Sequence, residues 1–222
     1  MKPVLLINLK TYEEATARNA LALARICDSL AESRSEAEII LAVQPADLRL
    51  VSENVRIPVF AQHVDPVKYG SSTGWLLPEA AKAAGAKGTL LNHSERRIDF
   101  ETAKRSLARC RELGLRVVMC AESPEKAKEL ASLKPDYIAI EPPELIGGDV
   151  SVSKARPEVI TEAVKKVHAI ANIPVLCGAG VKDGEDVRKA LALGAKGILV
   201  ASGVVKAKEP GRALSDLLRG FD

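Results

Sequence analysis

Three ionisable side chains stand where short apolar runs stop. Lys10 closes "VLLINLK" (4–10), His93 closes "GTLLNH" (88–93), and Glu141 follows "YIAI" (137–140). Carboxylates and imidazoles are the side chains most used to move protons, and a lysine beside them adds fixed positive charge. Two further runs, "PVLCGAG" (174–180) and "GILVASG" (197–203), stop on small residues whose backbone N–H groups can approach a ligand. Such amides bind anions where they open a helix. Taken singly, Lys10 reads as a solvated lysine, His93 as a satisfied strand-end histidine and Glu141 as a turn cap. His63, after the run 58–64, has nothing around it that suggests a role. Taken together, the first three point to acid–base chemistry and the two small-residue runs to an anion beside it, provided that the fold brings them to one place.

The elements that must do so alternate along the chain. The apolar runs lie at 4–10, 38–43, 58–64, 88–93, 116–122, 137–142, 174–180 and 197–203. Amphipathic stretches follow them: 13–32, 46–52, one opening at Pro78, 99–113, one opening near Pro124, 157–170, 184–194 and 211–218. Most of the runs are continuously apolar rather than alternating, which suits strands of a parallel sheet covered by helices on both faces. Eight strand–helix units predict a single-domain α/β fold over residues 1–222, closing as a (β/α)8 barrel; a doubly wound open sheet is the other arrangement. No G-x-G-x-x-G follows the first strand, so a nucleotide site lacks its usual signature there. In a barrel, chemistry sits at the C-terminal ends of the strands and phosphate in the loops after strands 7 and 8.

Composition narrows the function classes. The chain has 222 residues, 47% hydrophobic and 27% charged, with a net charge of +3 from scattered basic residues. That pattern argues against nucleic acid as the main partner. No apolar stretch approaches the roughly 18 residues that span a membrane. The apolar run before Asn8 is too short for a signal-peptide core, so the expected compartment is the cytoplasm. Cys27, Cys110, Cys120 and Cys177 form no C-x-x-C pair and read as buried reduced thiols, not as a metal or disulfide framework.

Four segments carry a resemblance: "INLK", "NHSERR", "EPPELIGGD" and "LCGAGV…GILVASG". In this order and register the chain resembles the triosephosphate isomerase family along nearly its whole length. It is shorter than the roughly 250 residues usual for such barrels and resembles the compact archaeal branch. The resemblance implies interconversion of dihydroxyacetone phosphate and D-glyceraldehyde 3-phosphate through an enediolate, in glycolysis and gluconeogenesis, with no cofactor and no metal. It implies Glu141 as the base and His93 as the electrophile, with Lys10 supplying charge, Asn8 positioning it and Glu95 tuning the site. Asn8, Leu9, Lys10, Ile146, Gly147, Gly180, Ala201 and Ser202 would hold the substrate and its phosphate. The chemistry agrees, because removing a proton α to a carbonyl needs a base near the carbon and a donor near the oxygen. "SERR" after His93 is suited to begin a short helix. The segment "QHVDPVKYGSSTGWLLPEA" resembles the family's intersubunit loop, with Thr73 at its tip and Trp75 beside it. A homodimer follows, with a tetramer as the larger assembly known in the archaeal branch.

The chain also departs from the family. The usual I-G-T-G lid reads Ile146, Gly147, Gly148, Asp149, and Asp149 is expected to point outward or to cap a turn through Val150 and Ser151. Gly180 stands where many members have serine. Two rivals remain: an aldolase-type barrel with Lys10 as a Schiff-base former, and a non-catalytic barrel that binds phosphorylated metabolites.

Overall fold

Each apolar run supplies one strand of a closed parallel barrel, β1 to β8 in sequence order, with β1 also paired to β8. The computed structural model describes residues 2–142 and 152–222. The strands are β1 (Val4–Asn8), β2 (Glu38–Val43), β3 (Val59–Ala61), β4 (Gly88–Leu91), β5 (Arg116–Ala121), β6 (Tyr137–Ile140), β7 (Val175–Cys177) and β8 (Gly197–Val200). Between them lie α1 (Arg18–Ser33), α2 (Leu48–Ser52), α3 (Pro78–Ala83), α4 (Phe100–Leu113), α5 (Pro124–Ala131), α6 (Val152–Ala155), α7 (Pro157–His168) and α8 (Gly184–Ala192). The short α9 (Ser202–Val205) and α10 (Pro210–Leu218) follow the last strand. No described helix is long and apolar enough to cross a membrane.

The continuous apolar strands have two covered faces. Along β1, Val4 and Leu6 join the barrel interior with Ile40, Phe60, Leu90 and Val118, while Leu5 and Ile7 join the layer beneath the helices. Helices meet that outer layer through one stripe; in α1 it is Ala20, Leu23, Ala24 and Cys27, one side of a helix. Local chemistry sets several helix starts. Asp99, Ser123 and Asp183 accept the N–H of Thr102, Lys126 and Asp186 and cap α4, α5 and α8, each cap contributing on the order of 1 kcal/mol.

Three local expectations differ. The stretch 13–32 is not one helix: a 3-10 turn (Glu13–Ala15) precedes α1, and Ala17 between them has φ 55°. Asp47 Oδ1 accepts the Ala17 N–H at 3.1 Å and holds the break. "SERR" does not begin a helix; it is a turn closed by the Arg96 N–H on the His93 carbonyl at 2.8 Å. The helix waits for Asp99, the first residue there whose side chain caps it. The end of strand 8 folds into α9 directly after Ala201.

At the N-terminal end, Arg116 makes two 2.9 Å hydrogen bonds to Glu38 and lies 5.1 Å from the Phe60 ring centroid. The opposite end carries the side chains singled out from the sequence.

Candidate active site

β1 delivers Asn8 and Lys10 as a unit. Asn8 Oδ1 accepts the Lys10 N–H at 3.0 Å and Gln62 Nε2 donates to the Lys10 carbonyl at 2.9 Å, which hold Lys10 at φ 48°. That left-handed geometry costs a non-glycine residue about 1 kcal/mol or more, an expense typical of functional positions. Lys10 Nζ then pairs with Glu95 Oε1 at 2.9 Å.

His93 is buried at the end of β4. Its Nδ1 accepts the Glu95 N–H at 3.2 Å. A nitrogen that accepts carries a lone pair, so the neutral ring holds its hydrogen on Nε2. The expected helix N-terminus behind His93 is absent; one backbone amide from a turn fixes the tautomer instead. Nε2 faces Asn8 Nδ2 at 3.4 Å and Glu141 Oε1 at 3.6 Å. Asn8 has already given its oxygen to Lys10, so its contact with His93 is donor against donor. A ligand oxygen placed there would receive both.

Glu141 follows β6, its N–H fixed on the Ala121 carbonyl at 2.8 Å. Its side chain is buried, and Oε2 has no hydrogen-bond partner among the described residues. Ser94 Oγ, which lines the same small recess, is also without one. The Cys120 thiol is pushed well above the ordinary thiol range, first by burial and then by the carboxylate of Glu141, so it faces that carboxylate as S–H.

The anion side of the cavity comes from the last two loops. Ala179 and Gly180 have φ 71° and 70°, and Ala201 precedes the first turn of α9. Together with Asn8, Lys10, His93, Glu141 and Ser202 they line a cavity of about 380 Å³. The first N–H groups of a helix have no intrahelical acceptor and suit an anion in such a space. Tyr12 and Lys182 line it too, with Lys206 Nζ 4.7 Å from the Tyr12 ring centroid. Neither stands out in the sequence, because neither ends a strand. Leu9 does not face the cavity: its side chain is in the core and its N–H goes to the Ala42 carbonyl. Ile146, Gly147, Gly148 and Asp149 lie outside the described residues. Among the described residues no group of three or more His, Cys, Asp or Glu side chains could hold a metal ion.

A second cavity, about 530 Å³, shares Asn8, Lys10 and His93 with the first and continues past Glu95, Gln44, His63 and Asp65 to Trp75. Thr73 and Trp75 lie on the exposed loop beside it.

This geometry has known relatives. A family model described as Triosephosphate isomerase matches residues 3–219. The Triosephosphate isomerase of Methanothermus fervidus is 46% identical over 218 residues, covering 98% of this chain and 98% of its own. That of Methanocaldococcus jannaschii is 47% identical over 219 residues, covering 97% and 99%. That of Metallosphaera sedula is 47% identical over 218 residues, covering 98% and 95%. A matched model across almost every residue, and relatives aligned end to end on a closed eight-stranded barrel, lead to one conclusion: the chain is an isomerase of the triosephosphate isomerase family.

Proposed function

We propose that the protein interconverts dihydroxyacetone phosphate and D-glyceraldehyde 3-phosphate, with Glu141 as the base and His93 Nε2–H as the donor to the carbonyl. The observation that carries this is the 3.6 Å approach of Glu141 Oε1 to His93 Nε2, with the second carboxylate oxygen unpartnered among the described residues. Glu141 takes a proton from one carbon and returns it to the neighbouring one, while the hydroxyl proton passes from one substrate oxygen to the other by way of His93 Nε2, which gives its proton to the first charged oxygen and takes one back from the second. The oxygen that gains charge in between is received by His93 Nε2–H and Asn8 Nδ2, with Lys10 beside them. Family members are themselves the standard example of a neutral catalytic histidine. The amides of Gly180, Ala201 and Ser202 hold the phosphate. Gly147 and Ile146 complete that reading from sequence. No cofactor enters the chemistry.

The chain acts as one barrel domain, residues 1–222, in the cytoplasm, in glycolysis and gluconeogenesis. It works as a homodimer, with the loop bearing Thr73 and Trp75 seated on a second copy. The Schiff-base alternative fits poorly, because Lys10 Nζ is tied to Glu95 in an ion pair instead of being held as a free amine.

The decisive experiment is a coupled isomerisation assay of wild type and Glu141→Asp. Shortening the side chain by one methylene draws the base back by about 1 Å, and kcat is expected to fall about 10²-fold with KM little changed. Undiminished turnover in the variant removes Glu141 from the role of base.

A further inference from the structure

We propose that Asp65 is a positioning residue for the isomerisation: through Arg96 its carboxylate sets the turn that carries His93 and Glu95. The same carboxylate closes the neck of the exposed loop 66–75. The inference rests on the isomerase reading above.

Asp65 is only 5% exposed. A buried carboxylate is costly unless donors surround it. Three do. Oδ2 accepts the Leu76 N–H at 2.7 Å, and Oδ1 meets His63 Nε2 at 3.0 Å and Arg96 Nη2 at 3.2 Å. The Asp65 N–H also donates to the Leu76 carbonyl at 3.0 Å, so two hydrogen bonds cross the neck of the loop. Burial first, then the Arg96 guanidinium, lower the His63 pKa against the pull of Asp65. His63 is therefore a neutral donor to the carboxylate. The histidine without a role in the sequence is the third support of Asp65.

Arg96 connects this cluster to the active site. Its own N–H closes the turn on the His93 carbonyl at 2.8 Å, and Glu95, one residue before it, fixes the His93 tautomer and pairs with Lys10. The far side of the turn is tied by Asn92, whose amide donates to the Cys120 carbonyl at 2.9 Å and accepts the Ile98 N–H at 3.0 Å. Asp65 is the tie on the near side. The Arg96 side chain is 59% exposed. Water is its alternative partner, so the contact with Asp65 is what gives it one place. A turn released there lets His93 Nε2 drift from the position that faces Glu141.

The test is a double-mutant cycle in kcat and KM on the full chain: wild type, Asp65→Asn, Arg96→Gln and the pair, with Tm of each. Each single variant is expected to lower kcat about tenfold, because small misplacements act on the chemical step, and to move KM less than about twofold. The double variant is expected to be no slower than the worse single, since both break one connection. Two results overturn the proposal: a lowered Tm with kcat intact, which makes Asp65 a loop clamp only, or losses that multiply. If Asp65→Asn does not fold, Arg96→Gln and Arg96→Lys carry the test. Lysine keeps the charge on Asp65 and is expected to recover most of kcat; equal loss in both overturns the proposal. Absence of turnover in the wild type would count against the functional reading instead. The His93 ring-nitrogen NMR shift then decides: a shift moved by Asp65→Asn supports positioning, and an unmoved one overturns it.

Discussion

At Gly178 a hydrogen occupies space that no side chain could share. A Cβ there would lie 2.6 Å from Glu141 Cγ and 3.3 Å from its carboxyl carbon. The glycine reads from sequence as a turn residue; in the fold it is the wall against which the Glu141 side chain rests. Gly178→Ala is expected to push Glu141 out of line with His93 Nε2 and to lower kcat about 10²-fold, on the scale of a 1 Å displacement. Steady-state kinetics check this, and a kcat within about twofold of wild type would mean that the carboxylate tolerates the shift. Lys10, His93 and Glu141 were legible because each ends an apolar run. Gly178, Cys120 and Asp65 were not, because what they do depends on a neighbour from another strand or loop: Glu141 for the first two, Leu76 and Arg96 for the third.

At the scale of elements the same division holds. Strand positions followed from continuous apolar runs, since strands covered on both faces have no polar side to interrupt the pattern. The break before α1 left no trace in the pattern, because it is held by Asp47, 30 positions away. The four-residue α6 and α9 are too short for a periodic signal. Ala17 itself makes a prediction. At φ 55° and ψ −119° its Cβ is strained, while glycine takes such angles freely. Ala17→Gly is expected to raise stability by about 1 kcal/mol, the strain relieved less the entropy glycine adds to the unfolded chain. Denaturant unfolding measures it; a loss of stability would show that the turn is relaxed with alanine.

Across the whole molecule the two ends of the barrel have different duties. The N-terminal end is closed by Arg116, Glu38 and Phe60, and the C-terminal end holds the open cavities. This is the usual separation of stability from chemistry in such barrels. Assembly belongs to this scale too. Tyr69 and Trp75 are 78% and 57% exposed on one protruding loop, and aromatic side chains so placed are characteristic of interfaces. Sedimentation equilibrium is expected to give twice the 23.7 kDa chain mass. Trp75→Ala is expected to raise the dissociation constant at least tenfold, the cost of about 1.4 kcal/mol or more for a central aromatic. A monomeric wild type, or a variant that associates as tightly, would remove this loop from the interface.

The facing donors of Asn8 and His93 have a consequence for what the protein tells apart. Two donor nitrogens 3.4 Å apart oppose each other, and the surrounding barrel keeps them there. A neutral carbonyl oxygen relieves that repulsion in part, and an oxygen bearing a full negative charge relieves it more. Preference in this corner is therefore graded by the electron density on one atom, and the outline of the rest of the ligand enters through its anionic tail. Two molecules of the same shape are separated there by charge alone, which is how a pocket can favour a fleeting species over the stable compounds on either side of it.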